Sequence, residues 1–426
     1  MDEEIKQIES QGSQSKQVAK EALFNTISNI LFLGCLWLMT MIVPLVSQKG
    51  FETAGIFTLA LSVANIATAV ATYNISAFFA SDVENKFKDN HYFYFGLTST
   101  LASLVAALIV CFAYGYTGEV FWSIILYNVF KLFDNYSFIT RIIYHRHGKL
   151  TTFSFLLIIR AIASLGLFAG AMLISQSILI SMGILALFGL AYFFVELFVL
   201  HKKCPGFEAF NKDVYKVSLS IFYHALPVFV YGLCFAAIVT IPRLYFNNVF
   251  NDSTLLGYFG TMSSITALIQ AVASAMLLPF IPKLANSYLS KNGKELAKLL
   301  GLLSGVVIVL TAIAFLAVIL LGDFALKLVY GEAILEYSSV FKWLVLAAGI
   351  QSLAIVFSDS IVSIRRFGLL MLSSVGGLAA MIVSMFLLIP RFGTYGVTYV
   401  YMISFGFALI TLFLSFVNII KKMRES

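Results

Sequence analysis

The chain has 426 residues, of which 60% are hydrophobic and only 12% are charged, and its mean hydropathy is +0.93. A soluble domain of this length does not need so much apolar surface, so the composition excludes an ordinary soluble protein. The formal net charge of +7 follows from a bias among the loops, described below, and does not argue for nucleic-acid binding.

Twelve apolar runs are each long enough to cross a membrane, since a helix needs about 20 apolar residues to span a hydrocarbon layer of about 30 Å. Their centres lie near Leu33, Ala67, Ala102, Lys131, Leu165, Leu187, Tyr231, Leu268, Leu310, Gln351, Ala379 and Phe407. An even number of crossings places both termini on one side. The sequence therefore predicts an all-α integral membrane protein with twelve transmembrane helices.

The segments between the runs indicate the orientation. Of the 28 Lys and Arg residues, twenty-one lie in the termini and in the segments on the same side as the termini, and five lie in the alternate set. Basic residues are concentrated on the cytoplasmic side of membrane proteins. Both termini are therefore predicted to be cytoplasmic. The polar N-terminal segment has no signal-peptide pattern.

Two stretches that lie 202 residues apart are similar to each other. Gly55-Ile56-Phe57 opens one run and Gly257-Tyr258-Phe259 opens another, and Ser62 matches Ser264 at the same offset. Six crossings separate the copies, so both keep the same orientation, which is typical of a parallel repeat. We predict two six-helix lobes related by a pseudo-two-fold axis along the membrane normal.

The predicted organisation follows from this repeat and from the long central loop. It comprises a cytoplasmic N-terminal segment (1–21), an N-lobe of helices 1–6 (22–200), a cytoplasmic inter-lobe loop (201–217), a C-lobe of helices 7–12 (218–419) and a cytoplasmic tail (420–426).

Three charged residues lie inside apolar runs. Lys131 and Asp134 share the fourth run, and Arg160 lies in the fifth. Each costs roughly 2.5–3.5 kcal/mol to insert at the centre of a membrane helix, so these side chains should face water or each other. With two cations against one anion, one interpretation is a cationic cavity for an anionic ligand. The other is structural ion pairing, between Lys131 and Asp134 along the helix and between Asp134 and Arg160 across the hairpin.

Other polar residues are further candidates for substrate binding. Asn25 and Asn29 lie one turn apart on the first helix, where they would bind sugar hydroxyls or bond to a neighbouring helix. Arg243 ends the seventh run near the outer face, where it would contact substrate or extend to water.

Three acids are candidates for ion coupling. Asp134 is the most deeply embedded. Glu196 and Asp359 lie near cytoplasmic helix ends, and pairing with the nearby basic groups at 201–203 and 365–366 is the favoured interpretation for both.

Motifs of enzyme and metal chemistry do not occur. The sequence has no HExxH or HxxxH spacing, no CxxC pair and no GxxxxGK[ST] loop, so it predicts no metal, no cofactor and no ATP hydrolysis. A membrane-embedded glycan polymerase or acyltransferase would group acids or histidines at one face, and no such group is present. We therefore expect a protein that is not an enzyme.

The run from Thr40 to Ile66 resembles the first hairpin of the Wzx-type polysaccharide flippases, which belong to the multidrug/oligosaccharidyl-lipid/polysaccharide exporter (MOP) superfamily. These proteins have a proline near the outer end of helix one, a short loop and a Gly-x-Tyr/Phe start to helix two. The corresponding residues here are Pro44, Gly55 and Phe57.

Three further stretches resemble the same family. Residues 79–86 are similar to the SDV-containing first cytoplasmic loop of capsule-type flippases. Residues 243–259 are similar to the segment in which an arginine closes helix seven, although Pro242 stands where many relatives have an acid. Residues 388–397 are similar to the Ile-Pro-x-x-Gly-x-x-Gly turn before the last helix.

The resemblance implies a flippase of the bacterial plasma membrane. It would move a polyprenyl-diphosphate-linked oligosaccharide to the outer leaflet for capsule, O-antigen or exopolysaccharide synthesis, by alternating access and with an ion gradient. Lys131 and Arg160 are the first choices to meet the diphosphate, because both side chains suit phosphate. Membrane lipids are expected partners, and whether a glycan polymerase binds alongside stays open. The alternative within the superfamily is a multidrug or cation antiporter, which would need an acidic and aromatic cavity.

Overall fold

The structure, a computed structural model, describes residues 2–81, 87–205, 211–277 and 280–425, which are mainly α-helical and include the short 3₁₀-helix Ala333–Tyr337. The helices are α1 (Asp2–Val46), α2 (Phe51–Thr72), α3 (Ile75–Ser81), α4 (Asp89–Ala113), α5 (Gly118–Arg146), α6 (Leu150–Ser175), α7 (Ile178–Lys203), α8 (Lys212–His224), α9 (Leu226–Phe250), α10 (Ser253–Leu277), α11 (Ile281–Leu289), α12 (Gly293–Tyr330), α13 (Ser338–Ser363), α14 (Phe367–Phe392) and α15 (Thr394–Glu425).

The predicted all-helical membrane fold is confirmed. Each of the twelve predicted centres lies in a different long helix, and eleven candidate spans within the described residues are long and apolar enough to cross a membrane. The twelfth centre lies in α5, which is 29 residues long but contains Lys131, Asp134 and Arg141. That α5 also crosses the membrane stays a prediction.

Many large apolar side chains on the outer surface of the helices are exposed. On α12, for example, Leu302, Ile313 and Leu320 are all more than half exposed. Such a surface is unfavourable in water and suits contact with lipid chains.

The long helices pack in two groups. The N-terminal group consists of α1, α2 and α4–α7, and the C-terminal group of α9, α10 and α12–α15. Within each group most helices contact several others of the same group. The two groups meet chiefly where α2 packs along α9 and α10.

The contact between α2 and α10 is unusually close because glycines form it. A Cβ atom at Gly55 would overlap the carbonyl oxygen of Ser253, and a Cβ atom at Gly257 would overlap the carbonyl oxygen of Phe51. Both glycines therefore let one helix backbone lie directly on the other. The first turns of α2 and α10 thus form a contact that joins the two groups, and we name this the closed end of the bundle.

Aromatic side chains surround the same contact. The ring of Phe51 lies 4.1 Å from that of Tyr258 and 6.1 Å from that of Tyr330, measured between centroids. Tyr258 in turn stacks on Tyr337 at 4.9 Å. Since Phe51 belongs to α2 and the three tyrosines to the C-terminal half, these rings add apolar contact between the groups.

The apolar runs predict separating loops at 243–254, 322–337 and 390–395. These boundaries are wrong, because helices extend further than expected. The predicted loop at 322–337 is largely the end of α12, the one at 243–254 is mostly the end of α9, and only Gly393 separates α14 from α15. Pro242 and Pro390 lie inside these helices. Part of the resembling stretch 79–86 and part of the predicted loop 201–217 lie outside the described residues.

Candidate functional site

A cavity of about 700 Å³ lies between the two helix groups. Its walls come from α1, α2, α5, α9, α10, α13 and α15. Thr58 and Gly260 line it near the closed end, while Asn25, Arg141 and Asp359 line it toward the opposite end of the bundle, which we name the open end. The cavity is in the size range of small-molecule and cofactor sites.

Arg243 is the most firmly held cation of this cavity. Its Nε atom donates to the hydroxyl of Tyr401 at 2.9 Å, and its Nη2 atom donates to Oγ of Ser263 at 3.3 Å. The Tyr401 hydroxyl donates to the carbonyl oxygen of Val239 at 2.6 Å, so its lone pairs are directed at the guanidinium. These bonds use two of the five N–H donors of Arg243 and leave the others for a ligand.

The guanidinium also lies beside two aromatic rings. Its central carbon is 5.9 Å from the ring centres of both Phe259 and Tyr401. Residues from α9, α10 and α15 thus fix Arg243 in a single orientation, which lowers the entropic cost of binding an anion.

The wall formed by α1 supplies neutral polar groups. The side-chain amide of Asn29 donates to the carbonyl oxygen of Asn25 at 2.6 Å, and Ser154 Oγ lies 3.5 Å from the side-chain oxygen of Asn25. Trp37 lines the cavity, and its buried indole nitrogen has no hydrogen-bond partner among the described residues. The Trp37 side chain thus adds an aromatic surface to this wall.

The C-terminal group contributes further polar side chains. The Gln270 amide donates to the Gln351 side-chain oxygen at 2.6 Å across α10 and α13. Asp359 is the only acid among the described residues of the lining, which also include the two cations Arg141 and Arg243. The charged side chains of the lining therefore sum to one positive charge.

A second polar cluster lies inside the N-terminal group. Arg160 donates to Asp134 through Nη1 at 3.0 Å and pairs with Glu196 through Nη2. Lys131 pairs with Asp134, and Ser137 donates to Glu196 at 2.9 Å. Two cations and two anions thus neutralise one another, as buried charges require.

This cluster corrects two expectations. The excess positive charge predicted for the fourth and fifth runs is wrong, because Glu196 on α7 supplies a second anion. Glu196 was expected to pair with residues 201–203 at the membrane surface, but α7 continues to Lys203 and places Glu196 two turns inside the helix. Its side chain is buried against Arg160 instead.

The predicted site residues are divided between the cavity and the cluster. Asn25, Asn29, Arg243 and Asp359 line the cavity, and their roles there stay predictions. The expected pairing of Asp359 with 365–366 is absent among the described residues, where Arg366 bonds to Tyr288 instead.

Lys131, Asp134, Arg160 and Glu196 form the neutral cluster and are not part of the cavity lining. The sequence interpretation missed Arg141, Gln270, Gln351, Trp37 and Tyr401. Only Gln270 and Gln351 gave a usable signal, as polar amides within apolar runs.

No known family model and no curated protein matches this chain. Solved structures do match, over nearly its whole length. An inward-facing multidrug resistance MATE family transporter of the MOP superfamily matches with a TM-score of 0.66 at 14% identity, covering 92% of this chain and 95% of that one. The lipid II flippase MurJ, in an inward closed conformation, matches with a TM-score of 0.65 at 16% identity, covering 95% and 90%.

A MATE transporter of Vibrio cholerae matches with a TM-score of 0.59 at 12% identity, covering 97% of this chain and 98% of that one. The chain has the fold of these transporters. MATE transporters and MurJ both belong to the MOP superfamily, which is the superfamily that the sequence motifs resemble. At these identities the likeness concerns the fold, and substrate has to be argued from the cavity.

Proposed function

We propose that this chain is a flippase that moves a polyprenyl-diphosphate-linked oligosaccharide across a bacterial plasma membrane by alternating access. The observation that carries the proposal is the inter-group cavity, where a fixed arginine and a set of amides supply polar groups to a largely apolar lining that is closed at one end. A diphosphate and the hydroxyls of a glycan cannot cross hydrocarbon unaided. A cavity of this kind offers them cations and hydrogen bonds.

Arg243 is the residue that we assign to the diphosphate. A guanidinium binds two phosphate oxygens in parallel, and its bonds to Tyr401 and Ser263 hold it ready to do so. Asn25 and Asn29 would form hydrogen bonds with sugar hydroxyls, and the ring of Trp37 would lie beside the glycan. The polyprenyl tail would remain in lipid between the helix groups.

The loop charges support an orientation with both termini in the cytoplasm. In that orientation the closed end faces outward, and the cavity is loaded from the cytoplasmic side. Transport then requires that the contact between α2 and α10 opens while the opposite end closes. The two states must differ by only a few kcal/mol, with substrate and ion binding them unequally.

Asp359 is the better candidate for ion coupling among the predicted acids. Asp134 and Glu196 are already neutralised by Arg160 and Lys131. Asp359 has no ion-pair partner among the described residues, and it lines the cavity, where an ion and the substrate would meet.

A multidrug or cation antiporter is the second candidate. The observation in its favour is the same Asp359, which shares the cavity with the aromatic side chains of Trp37 and Tyr401. Acids and aromatic rings suit organic cations. The excess of arginine over acid in the lining favours an anionic substrate instead.

Sealed vesicles that contain the purified chain provide the test. Delivery of polyprenyl-diphosphate-linked oligosaccharide to the trans leaflet is measured with and without a proton or sodium gradient, for the wild type and for Arg243→Ala. Arg391→Ala is the matched control, because it removes an exposed arginine outside the cavity. We expect delivery by the wild type and the control, and loss of delivery in Arg243→Ala. Transport of cationic dyes without lipid-linked glycan would establish the antiporter instead.

A further inference from the structure

A second cavity, of about 640 Å³, lies at the open end of the C-terminal helix group. It is formed by the end of α11, the start of α14 and the last turns of α15, and it shares no lining residue with the inter-group cavity. Neither the sequence motifs nor the proposed transport path gives it a role. Its volume is again in the range of small-molecule sites.

Among the described residues that line this second cavity, three are cations and none is an acid. They are Lys291, Arg366 and Lys422, which come from three separate parts of the chain. None of the ion pairs found among the described side chains involves them. Like charges that converge without an anion repel one another, so a negatively charged ligand would relieve this repulsion.

Two of these cations are held in place by local structure. Arg366 donates to the hydroxyl of Tyr288 through Nε at 3.1 Å and through Nη2 at 2.9 Å. Lys291 follows the end of α11 with φ of 54°, a left-handed conformation that glycine or asparagine adopts more readily. The turn directs the chain from α11 into α12 and brings Lys291 to the rim of the cavity.

Apolar side chains line the same cavity beside the cations. Leu289, Leu369 and Ile419 belong to its lining, and Leu289 is 77% exposed. On α11, Leu284 and Ser287 are buried while Leu289 is exposed, so the Leu289 side chain is free to contact lipid. A free phosphate or a nucleotide would leave these apolar residues uncovered. A lipid with an anionic headgroup would contact both the cations and the apolar side chains of the lining.

We propose that this cavity binds the headgroup of an anionic phospholipid from the leaflet at the open end, with the acyl chains beside Leu289 and Ile419. Basic pockets between membrane helices on the cytoplasmic side are the usual place for such headgroups. The loops at this end of the bundle carry most of the basic residues of the chain, which agrees with contact to a negatively charged leaflet. The proposal is independent of what the inter-group cavity transports.

Native mass spectrometry of the purified full chain tests the site. Cardiolipin is titrated against phosphatidylcholine with the same acyl chains, and the bound lipid is counted. The test variant is Lys291→Gln/Arg366→Gln/Lys422→Gln. The matched control is Lys202→Gln/Lys203→Gln/Lys212→Gln, which removes three exposed charges elsewhere. A basic residue near an anionic membrane surface contributes roughly a fivefold factor, so we expect on the order of a hundredfold weaker cardiolipin binding in the test variant only.

Three results would overturn the proposal: equal cardiolipin binding by the test variant and the wild type, an equal loss in the control, or displacement of cardiolipin by millimolar inorganic pyrophosphate. The last would assign the cavity to a soluble anion. If the triple variant unfolds at a lower temperature without added lipid, the single change Lys422→Gln decides. Lys422 makes no side-chain hydrogen bond among the described residues, and its loss should weaken cardiolipin binding about fivefold without lowering the unfolding temperature.

Discussion

Gly257 lies directly on the carbonyl oxygen of Phe51, so closely that no side chain fits between α10 and α2. The substitution Gly257→Ala therefore forces the two helices apart at the closed end. Overpacking of this kind costs about 1–3 kcal/mol, and here the cost falls on the closed state alone. We expect the variant to spend more time open at this end.

Thiol labelling measures that opening. Cysteine is introduced at Ser264, which lines the inter-group cavity, after the four native cysteines have been replaced. A membrane-impermeant reagent applied from the side of the loop at 47–50 should label the Gly257→Ala protein at least tenfold faster than its parent. Gly301→Ala is the control, because a Cβ at Gly301 meets nothing within 4 Å. Unchanged labelling in Gly257→Ala would contradict the assignment of this contact as the closure.

Substitutions of Arg243 should separate the effect of its charge on substrate binding from the effect of its hydrogen-bond geometry. Arg243→Lys keeps the positive charge but loses the paired donors that meet Tyr401 and Ser263. A hydrogen bond to a charged group contributes about 1.5–3 kcal/mol, so each lost bond to a diphosphate weakens affinity by about 10- to 150-fold.

Affinity for a soluble short-chain prenyl diphosphate is measured by calorimetry on the detergent-solubilised protein. The expected order of affinity is wild type, Arg243→Lys, Arg243→Ala. Arg391→Ala should bind as the wild type does. Equal affinity in all four proteins would remove Arg243 from the binding site.

The neutral cluster in the N-terminal group should be structural, and its members should differ in importance. Arg160→Met leaves the carboxylates of Asp134 and Glu196 with too little positive charge, and removing one partner of a buried ion pair costs about 3–5 kcal/mol. Lys131→Met costs less, because Asp134 keeps Arg160. The exposed pair made by Lys327 contributes less than about 1 kcal/mol, so Lys327→Met serves as the control.

Thermal unfolding in detergent is monitored by size-exclusion chromatography with fluorescence detection. The midpoint temperatures rank the variants by stability. The lowest midpoint is expected for Arg160→Met, then Lys131→Met, then Lys327→Met near the wild type. A folded Arg160→Met protein that has wild-type stability and no transport activity would instead return Arg160 to the transport path.

Asp359→Asn should separate ion coupling from substrate binding. The change removes the one acid that lines the cavity in the described part of the chain, and it leaves Arg243 and its partners in place. Binding of an anionic ligand should be retained or become slightly tighter, since a repelling charge is gone. Delivery in sealed vesicles should lose its response to the ion gradient. The control Asp323→Asn, at an exposed position on α12, should keep the response to the gradient. A gradient response that persists in Asp359→Asn would show that coupling resides elsewhere.

The helices were predictable because the membrane imposes a simple rule on sequence. Each apolar run of about 20 residues must satisfy its own backbone hydrogen bonds, and a helix does this locally. The helix ends were less predictable. α9 continues for eight residues beyond Pro242, and α14 for two beyond Pro390. Proline is tolerated in membrane helices because neighbouring groups satisfy the backbone atoms that it frees.

The composition of the site depended on packing between helices that are distant in sequence. Glu196 lies close in sequence to the basic residues at 201–203, and local spacing therefore favoured that pairing. Its actual partner, Arg160, is brought to it by the packing of α6 against α7. Similarly, Tyr401 reaches Arg243 across 158 residues. Neither contact leaves a periodic signal in the sequence, so neither could be read from it.

The glycine contact at the closed end is reciprocal. Gly55 meets Ser253 and Gly257 meets Phe51. The two contacts correspond, because Gly257 follows Gly55, and Ser253 follows Phe51, by the same offset of 202 residues. A six-helix chain with one such glycine would make the identical contact twice on pairing with a second copy, as an isologous dimer does. When both copies lie in one chain, the two glycine contacts can differ in sequence. A substitution can then change one contact and leave the other unchanged.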